Sequence, residues 1–591
     1  MSNFLRVTPE SNDAPATSGS EVPVTVRTRS RFLGVAPLSE ERFFIIISVF
    51  IGIFAGLAVV CFRLAIDWTR FGLLGAAPEP HTLRLLLVPT LGGLLVAILV
   101  ITFFPAVRGS GVNQTKSAFY IFNGVIPLRT AIGKFITAAI AIGSGQSLGP
   151  EDPSLQIGAT LASFLGRRMN FSREKLRLLA PVGAAAGLAA AFNAPISAVL
   201  FVIEEVIGRW SAGILGSVVL SAISSVVVVR WFLGTQPLFR IPPLTVFRPS
   251  ELIAYISLGI IGGFAAVIFA KAIAYFRPRL HALPIATHYI QPAIAGLVIG
   301  LIGYFGAPQV MGAGYEYIDQ AMHDQFTWKV LAILAGLKIL ATTLSFVTGT
   351  PGGMFAPTLF IGAMLGGAVG GIERHFYPHL TGTTGTYALV GMGVLFAGFL
   401  RVPMTSVFMV VEVSQDYSII VPVILANACA YVISRSFQAV PIFDVLTRQD
   451  GLDLPSLEEM REESVLHVED AMKAPPKPVL NSDETVRDAM FQIEGSKSDV
   501  FLVRLKPSGW SSITRELLQR FSQEGKAEMT LGSLLPPQRL PYLHPDYPLE
   551  TALRYVHQTA LVPVVSRADL RQLDGVISSE DVLAQYRVAV D

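Results

Sequence analysis

The sequence predicts an all-helical protein that crosses a membrane many times and carries a soluble α/β domain at its C-terminal end. Three observations lead there. Of 591 residues, 52% are apolar and only 15% are charged, against about 25% charged residues in an ordinary soluble chain. Apolar runs of bilayer-spanning length recur through the first 450 residues. Charge is concentrated after them, because residues 451–591 carry 37 of the 88 Asp, Glu, Lys and Arg, so the tail is a different kind of polymer. The expected organisation is a disordered cytoplasmic N-terminus (1–38), a membrane domain (39–450), a linker (451–463) and a regulatory domain (464–591).

Each part follows from local composition. Residues 1–38 are rich in Pro, Ser, Thr and Ala, contain Glu10 and Asp13, and lack the apolar core of a signal peptide. Arg27, Arg29, Arg31 and Arg42 precede the first apolar run, which favours that end inside. Apolar runs read as membrane helices, against the roughly 20 residues a span needs, lie near 43–66, 83–104, 130–143, 211–232, 250–275, 288–306, 329–347 and 417–437, with 130–143 the short one. Others, at 109–121, 149–166, 180–205, 353–372 and 388–413, are interrupted by Gly and Pro. Unwound backbone at membrane depth is tolerated only inside protein or beside a cavity, so a site is expected there. Cys61 and Cys429 sit in apolar runs, without metal or disulfide spacing, and are expected to be buried packing residues. A net charge of +2 and the absence of a basic stripe interleaved with aromatics exclude nucleic-acid binding.

The membrane domain reads as a duplicated half (about 43–210 and 250–415). Gly52, Gly56, Phe62 and Ala65 match Gly259, Gly263, Phe269 and Ala272. Pro89, Gly93, Gly109 and Gly111 match Pro292, Gly296, Gly312 and Gly314; Lys134, Gly149, Pro153 and Gly158 match Lys338, Gly353, Pro357 and Gly362; Gly183, Pro195 and Glu204 match Gly391, Pro403 and Glu412. Small-residue packing explains one such block, not four in register. Paired broken helices in duplicated halves point to a transporter with its site between the repeats.

Three broken segments share one design: Gly109-Ser110-Gly111, Gly149-Pro150-Glu151-Asp152-Pro153 and Gly353-Met354-Phe355-Ala356-Pro357. Glycine admits close backbone approach, and Pro suits the first turn of a helix. A helix start presents unpaired N–H groups, so these segments suit a small anion without Lys or Arg, and partial charges bind weakly enough to release it. Carboxylates inside an apolar stretch mark ion or proton pathways. Glu151 is read as a tethered anion competing for the halide site, against the plainer role of stabilising its own helix N-terminus, which remains the stronger reading for Asp152. Glu204 and Glu205 end an apolar run. Glu204 has a repeat partner in Glu412 and reads as a structural or water-facing group, whereas Glu205 is matched by Val413 and fits a separate proton route.

These residues resemble the CLC family of chloride channels and proton-coupled chloride antiporters over about residues 40–450. The resemblance implies an inverted-repeat helical fold, a homodimer, chloride and protons as cargo, and a multi-pass location in a bacterial inner membrane. It makes Glu151 the gating carboxylate, Ser110 and Gly111 part of the anion site, Met354 and Phe355 backbone N–H donors to it, and Glu205 the internal proton-transfer group. Departures are Asn113 for a proline, Pro150 for a basic residue, Asp152 for a glycine and Phe443 where a tyrosine hydroxyl is usual. Residues 464–591 resemble a pair of CBS modules. There Ser578-Ser579-Glu580-Asp581 has the form that can bind the ribose of an adenine nucleotide, and is equally an ordinary helix cap. No enzyme chemistry, metal or obligatory cofactor is expected. The rival readings are a passive anion channel of the same fold and a membrane-anchored nucleotide or ionic-strength sensor.

Overall fold

The computed structural model describes residues 40–588 apart from 76–78, 209–211, 236–237, 240–250, 377–382, 453, 455–465, 497, 507–508, 537–539, 558, 560 and 568. The expected N-terminus (1–38) and most of the linker lie outside the described residues. The chain forms two compact units, Met1–Val202 with Ser211–Ala439, and Ile203–Trp210 with Val440–Asp591.

In the first unit, the first half runs through α1 (Glu40–Leu74), α2 (Leu83–Ile98), α3 (Gly111–Tyr120), α4 (Leu128–Gly143), α5 (Glu151–Arg168), α6 (Arg173–Phe192), α7 (Pro195–Phe201) and α8 (Ala212–Leu233). The second half follows with α9 (Leu252–His281), α10 (Ile285–His288), α11 (Gln291–Tyr304), α12 (Tyr315–Met322), α13 (Trp328–Val347), α14 (Phe355–Phe376), α15 (Thr384–Leu400), α16 (Pro403–Ser414) and α17 (Ile420–Phe437). Among the described residues nine helices are long and apolar enough to cross a membrane. Two of them, Arg173–Phe192 and Phe355–Phe376, lie in stretches expected to be broken. Their Ala and Gly let 83% of each apolar window pack inside the protein, so the spans lack the bulky side chains that mark a lipid-facing helix. Cys61, expected to be buried, is exposed on the outer face of α1, and Cys429 is half-buried; apolar runs in a membrane face outward as often as inward.

The duplication is visible atom by atom. Lys134 Nζ donates to the carbonyls of Val107 (3.1 Å) and Gly109 (2.7 Å), and its repeat counterpart Lys338 donates to Val310 (2.9 Å) and Gly312 (2.8 Å). α5 packs on α6 as α14 packs on α15, and at both crossings the matched glycines, Gly158 with Gly183 and Gly362 with Gly391, leave no room for a Cβ. Between the halves, Gln146 Nε2 donates to the matched carbonyls of Pro89 (3.2 Å) and Pro292 (3.1 Å). Gly149 and Gly353 exchange N–H to carbonyl bonds of 2.8 Å in both directions. Reciprocal bonds between equivalent residues are the mark of a two-fold relation between the halves.

The second unit holds Glu204 and Glu205, on the wide helical turn Val202–Ile207, and α18 (Ile442–Gln449). Its tail contains two copies of one motif. The first has β1 (Leu480–Asn481) parallel to β2 (Val500–Arg504), which pairs antiparallel with β3 (Trp510–Thr514); a helix Val486–Gln492 connects β1 to β2, and a helix Arg515–Gln523 follows β3. In the second, a parallel bridge of Leu543 to Val564 takes the place of β1, and β4 (Val562–Val565) pairs antiparallel with β5 (Leu573–Ile577). Each motif completes its core with a segment from the other's approach. Val468 and Ala471 pack with Leu549 and Val564, and Leu531 packs with Val486 and Phe501.

Candidate functional site

The site forms where the two halves meet. Gly149 and Gly353 bring the starts of α5 and α14 together; a Cβ on Gly353 would lie 2.5 Å from Asp152 Cβ, so only glycine permits this approach. Pro153 and Pro357 fall in the first turns, where no helical N–H bond is lost. Ser154 N bonds to Pro150 O and Thr358 N to Met354 O, both at 2.9 Å, so both helices are regular from their first turn. Phe355 turns its ring onto Phe201 (centroids 5.0 Å apart), Phe396 (5.7 Å) and Phe192 (6.1 Å). Its side chain belongs to the core, and only its backbone faces the helix start.

Glu151 is fully buried. Its Oε1 accepts a hydrogen bond from the hydroxyl of Tyr315, the first residue of α12. Its Oε2 has no hydrogen-bond partner among the described residues, and the carboxylate faces the backbone N–H groups of Glu151 itself and of Ala356, in the first turns of α5 and α14. A carboxylate thus sits at an N–H-lined helix start, the arrangement expected for a tethered anion. Beside it opens a cavity of about 180 Å³ lined by Arg63, Asp67, Arg70, Pro150, Gly314 and Tyr315 among others. Arg70 is held by Glu316 through two hydrogen bonds of 3.0 and 2.8 Å.

Asp152, also fully buried, lies in the first turn of α5 and makes no side-chain cap bond there. Its carboxylate accepts from Ser110 Oγ (2.8 Å), Gly111 N and Val112 N (3.2 Å), the start of α3. The donors expected for a halide at Ser110 and Gly111 therefore bind a side chain of this same chain.

Glu412 accepts from Ile196 N (3.1 Å), Ser197 N (2.9 Å) and Ser197 Oγ (2.7 Å), capping α7. Glu204 and Glu205 are both buried, so the reading of a water-facing acidic pair does not hold. Phe443 is buried on α18 in the second unit, and its carbonyl accepts from Thr447 Oγ1 (2.8 Å). In the tail, Ser578 Oγ and N bond to Asp581 Oδ2 (2.6 and 2.9 Å), and Asp581 pairs with Lys473. The S-x-x-D element is in use as a helix cap. Sequence reasoning missed Tyr315, whose position in the repeat corresponds to Val112 and carries no polar signal. It also gave no role to Lys134 and Lys338, although their match across the repeat was the available clue. No cluster of His, Cys, Asp or Glu fit to hold a metal occurs among the described residues.

Comparison with known proteins decides the family. The family model of voltage gated chloride channels matches residues 92–435. The chain belongs to this family. A ClcB-like protein of Ralstonia nicotianae is 31% identical over 425 residues, covering 68% of this chain and 97% of that protein. The H(+)/Cl(-) exchange transporter ClcA of Salmonella paratyphi B is 30% identical over 415 residues, covering 68% of this chain and 87% of that protein. The crystal structure of a slow cyanobacterial Cl-/H+ antiporter superposes with a TM-score of 0.63 at 24% identity, over 72% of this chain and all of that one. A eukaryotic CLC transporter does so with a TM-score of 0.60 at 20% identity, over 92% of this chain and 99% of the other. At these identities the structures establish the fold alone.

Proposed function

We propose that this chain moves a small inorganic anion, chloride first, across a membrane in exchange for protons, with Glu151 as the protonatable stand-in for the anion. The observation that carries this is the fully buried Glu151 carboxylate between the Tyr315 hydroxyl and the start of α14. Such donors suit a halide as well as a carboxylate, so proton and anion compete for one place. Relatives described as H(+)/Cl(-) exchange transporters support the same cargo. Met354 and Phe355 supply the backbone of that helix start, and Ser110 and Gly111 a second station. By the resemblance, Glu205, buried and matched by Val413 in the repeat, is the second titratable group of a proton route, and Phe443 stands where a tyrosine is usual. The protein acts as a homodimer. The doubled β-α-β-β-α tail is a CBS pair, in which the internal bonds of Ser578 and Asp581 favour a structural role over adenine-nucleotide binding.

Simultaneous chloride and proton fluxes in liposomes test this reading. Glu151→Ala is expected to keep anion flux and lose proton flux. Anion flux in the native chain with no proton movement would make it a passive channel, and no flux at all a membrane-anchored sensor.

A further inference from the structure

We propose that Asp152 is a second tethered anion, one that fills the Ser110–Val112 station and has to swing aside before a transported anion can bind there. The proposal rests on the transport reading above. Three donors converge at the start of α3, the Ser110 hydroxyl and the N–H groups of Gly111 and Val112, and the Asp152 carboxylate takes all three. A halide needs the same donors, and one set cannot serve two anions at once. Burial leaves the carboxylate no water to turn to, and Lys134, fixed on the carbonyls of Val107 and Gly109 behind the loop, supplies a counter-charge.

A purely structural cap does not account for the arrangement as well. The repeat provides an internal control, since the counterpart of Asp152 is Ala356 and the matching helix start at Gly314–Tyr315 folds with no carboxylate from α14. α3 also has a cap of its own, because Ser110 Oγ accepts from Val112 N at 3.2 Å. Glu151 and Asp152, neighbours on one turn of α5, thus meet different donors, Glu151 the Tyr315 hydroxyl and the N–H groups at the starts of α5 and α14, and Asp152 the start of α3. Two stations for anions are occupied by two side chains, and transport requires both to yield.

The test uses the full chain at one fixed neutral pH. Bromide binding is measured by calorimetry and chloride flux in liposomes, for the native protein, Asp152→Gly and Asp152→Asn. If the station is free only about a tenth of the time or less, removing its occupant tightens bromide binding by roughly tenfold or more, and flux rises with it. Asp152→Asn, which keeps the volume but loses the charge, shifts binding the same way by less. Folded Asp152→Gly that binds bromide no more tightly than the native chain and conducts no faster overturns the proposal. Should Asp152→Gly fail to fold, unchanged bromide affinity in Asp152→Asn overturns it, and failure of both to fold does so too, by making the carboxylate a cap. Native flux with no effect of Asp152→Gly sinks only this proposal; absence of flux in every variant sinks the transport reading with it.

Discussion

Tyr315 donates to the one Glu151 oxygen with a defined partner, and it is the residue on which the resting position of that carboxylate depends. A hydrogen bond to a charged group contributes about 1.5–3 kcal/mol, so Tyr315→Phe should shift the gate towards release by roughly 10- to 100-fold at 1.4 kcal/mol per decade. The expected outcome is faster chloride flux with proton coupling weakened but not abolished, read from paired flux traces. No faster flux in a folded Tyr315→Phe would mean the hydroxyl does not hold the gate. Glu151 itself was legible in the sequence because an acidic residue in an apolar stretch is rare. Tyr315 was not, since an aromatic at the end of a Gly-rich loop looks like packing until the chain brings it across from the other half. Asp152 was legible as a carboxylate in the wrong place, yet its target was not; only tertiary contact reveals that it takes the donors at the start of α3.

At the level of elements, matched glycines predict matched costs. Gly158→Ala pushes a methyl group into the α6 backbone at Gly183, and Gly362→Ala does the same against Gly391 on α15. Overpacking of this kind costs typically about 1–3 kcal/mol, so both variants should lower the melting temperature by similar amounts. A large loss in one with none in the other would break the equivalence of the two crossings. In the tail, the final helix Ser579–Val588 is clasped by Asp581. Burial pushes that carboxyl up, but hydrogen bonds from Lys473 and Ser578 outweigh it and hold it below the ordinary range. A depressed carboxylate stabilises the fold above its unfolded value of about 3.9, and that contribution is lost as pH falls through the folded value. Lys473, raised by its hydrogen bond to Asp581 and by the charge there, keeps its share until pH rises past its own folded value, at the alkaline end. Protection of this helix against hydrogen exchange in the full chain, taken relative to the intrinsic rate at each pH, should therefore fall on going from about pH 5 to about pH 3, and Asp581→Asn should flatten that change. An equal fall in the variant would remove Asp581 from the clasp.

Over the whole molecule, the proposed exchange requires a route for protons as well as for anions. Glu205 is buried and has Val413 at its repeat position, so it departs from the symmetry the packing residues obey. Glu205→Ala is expected to keep chloride flux and lose most proton flux; coupling left intact would strip Glu205 of that role. The duplication itself was readable from residue spacing, because both halves reuse the same close-packing glycines, lysines and prolines. So was the division of labour between an apolar body and a charged tail. The paired modules of the tail were read by resemblance over 464–591, whereas the exchange by which each copy completes its core with a segment from the other's approach came only from packing.

What the sequence by itself determined is the membrane class, the duplicated half, the Gly–Pro breaks and a carboxylate among them. These are encoded by composition and local spacing, which burial in lipid and the geometry of helix starts constrain directly. What the tertiary structure decided is which donor each carboxylate meets. Glu151 and Asp152 are consecutive, and no local rule separates a residue aimed at α14 from one aimed at α3. That choice arises only when Gly149 and Gly353 bring two halves of the chain into contact, and hydrogen bonds between residues about 40 to 200 positions apart are products of packing, not of periodicity.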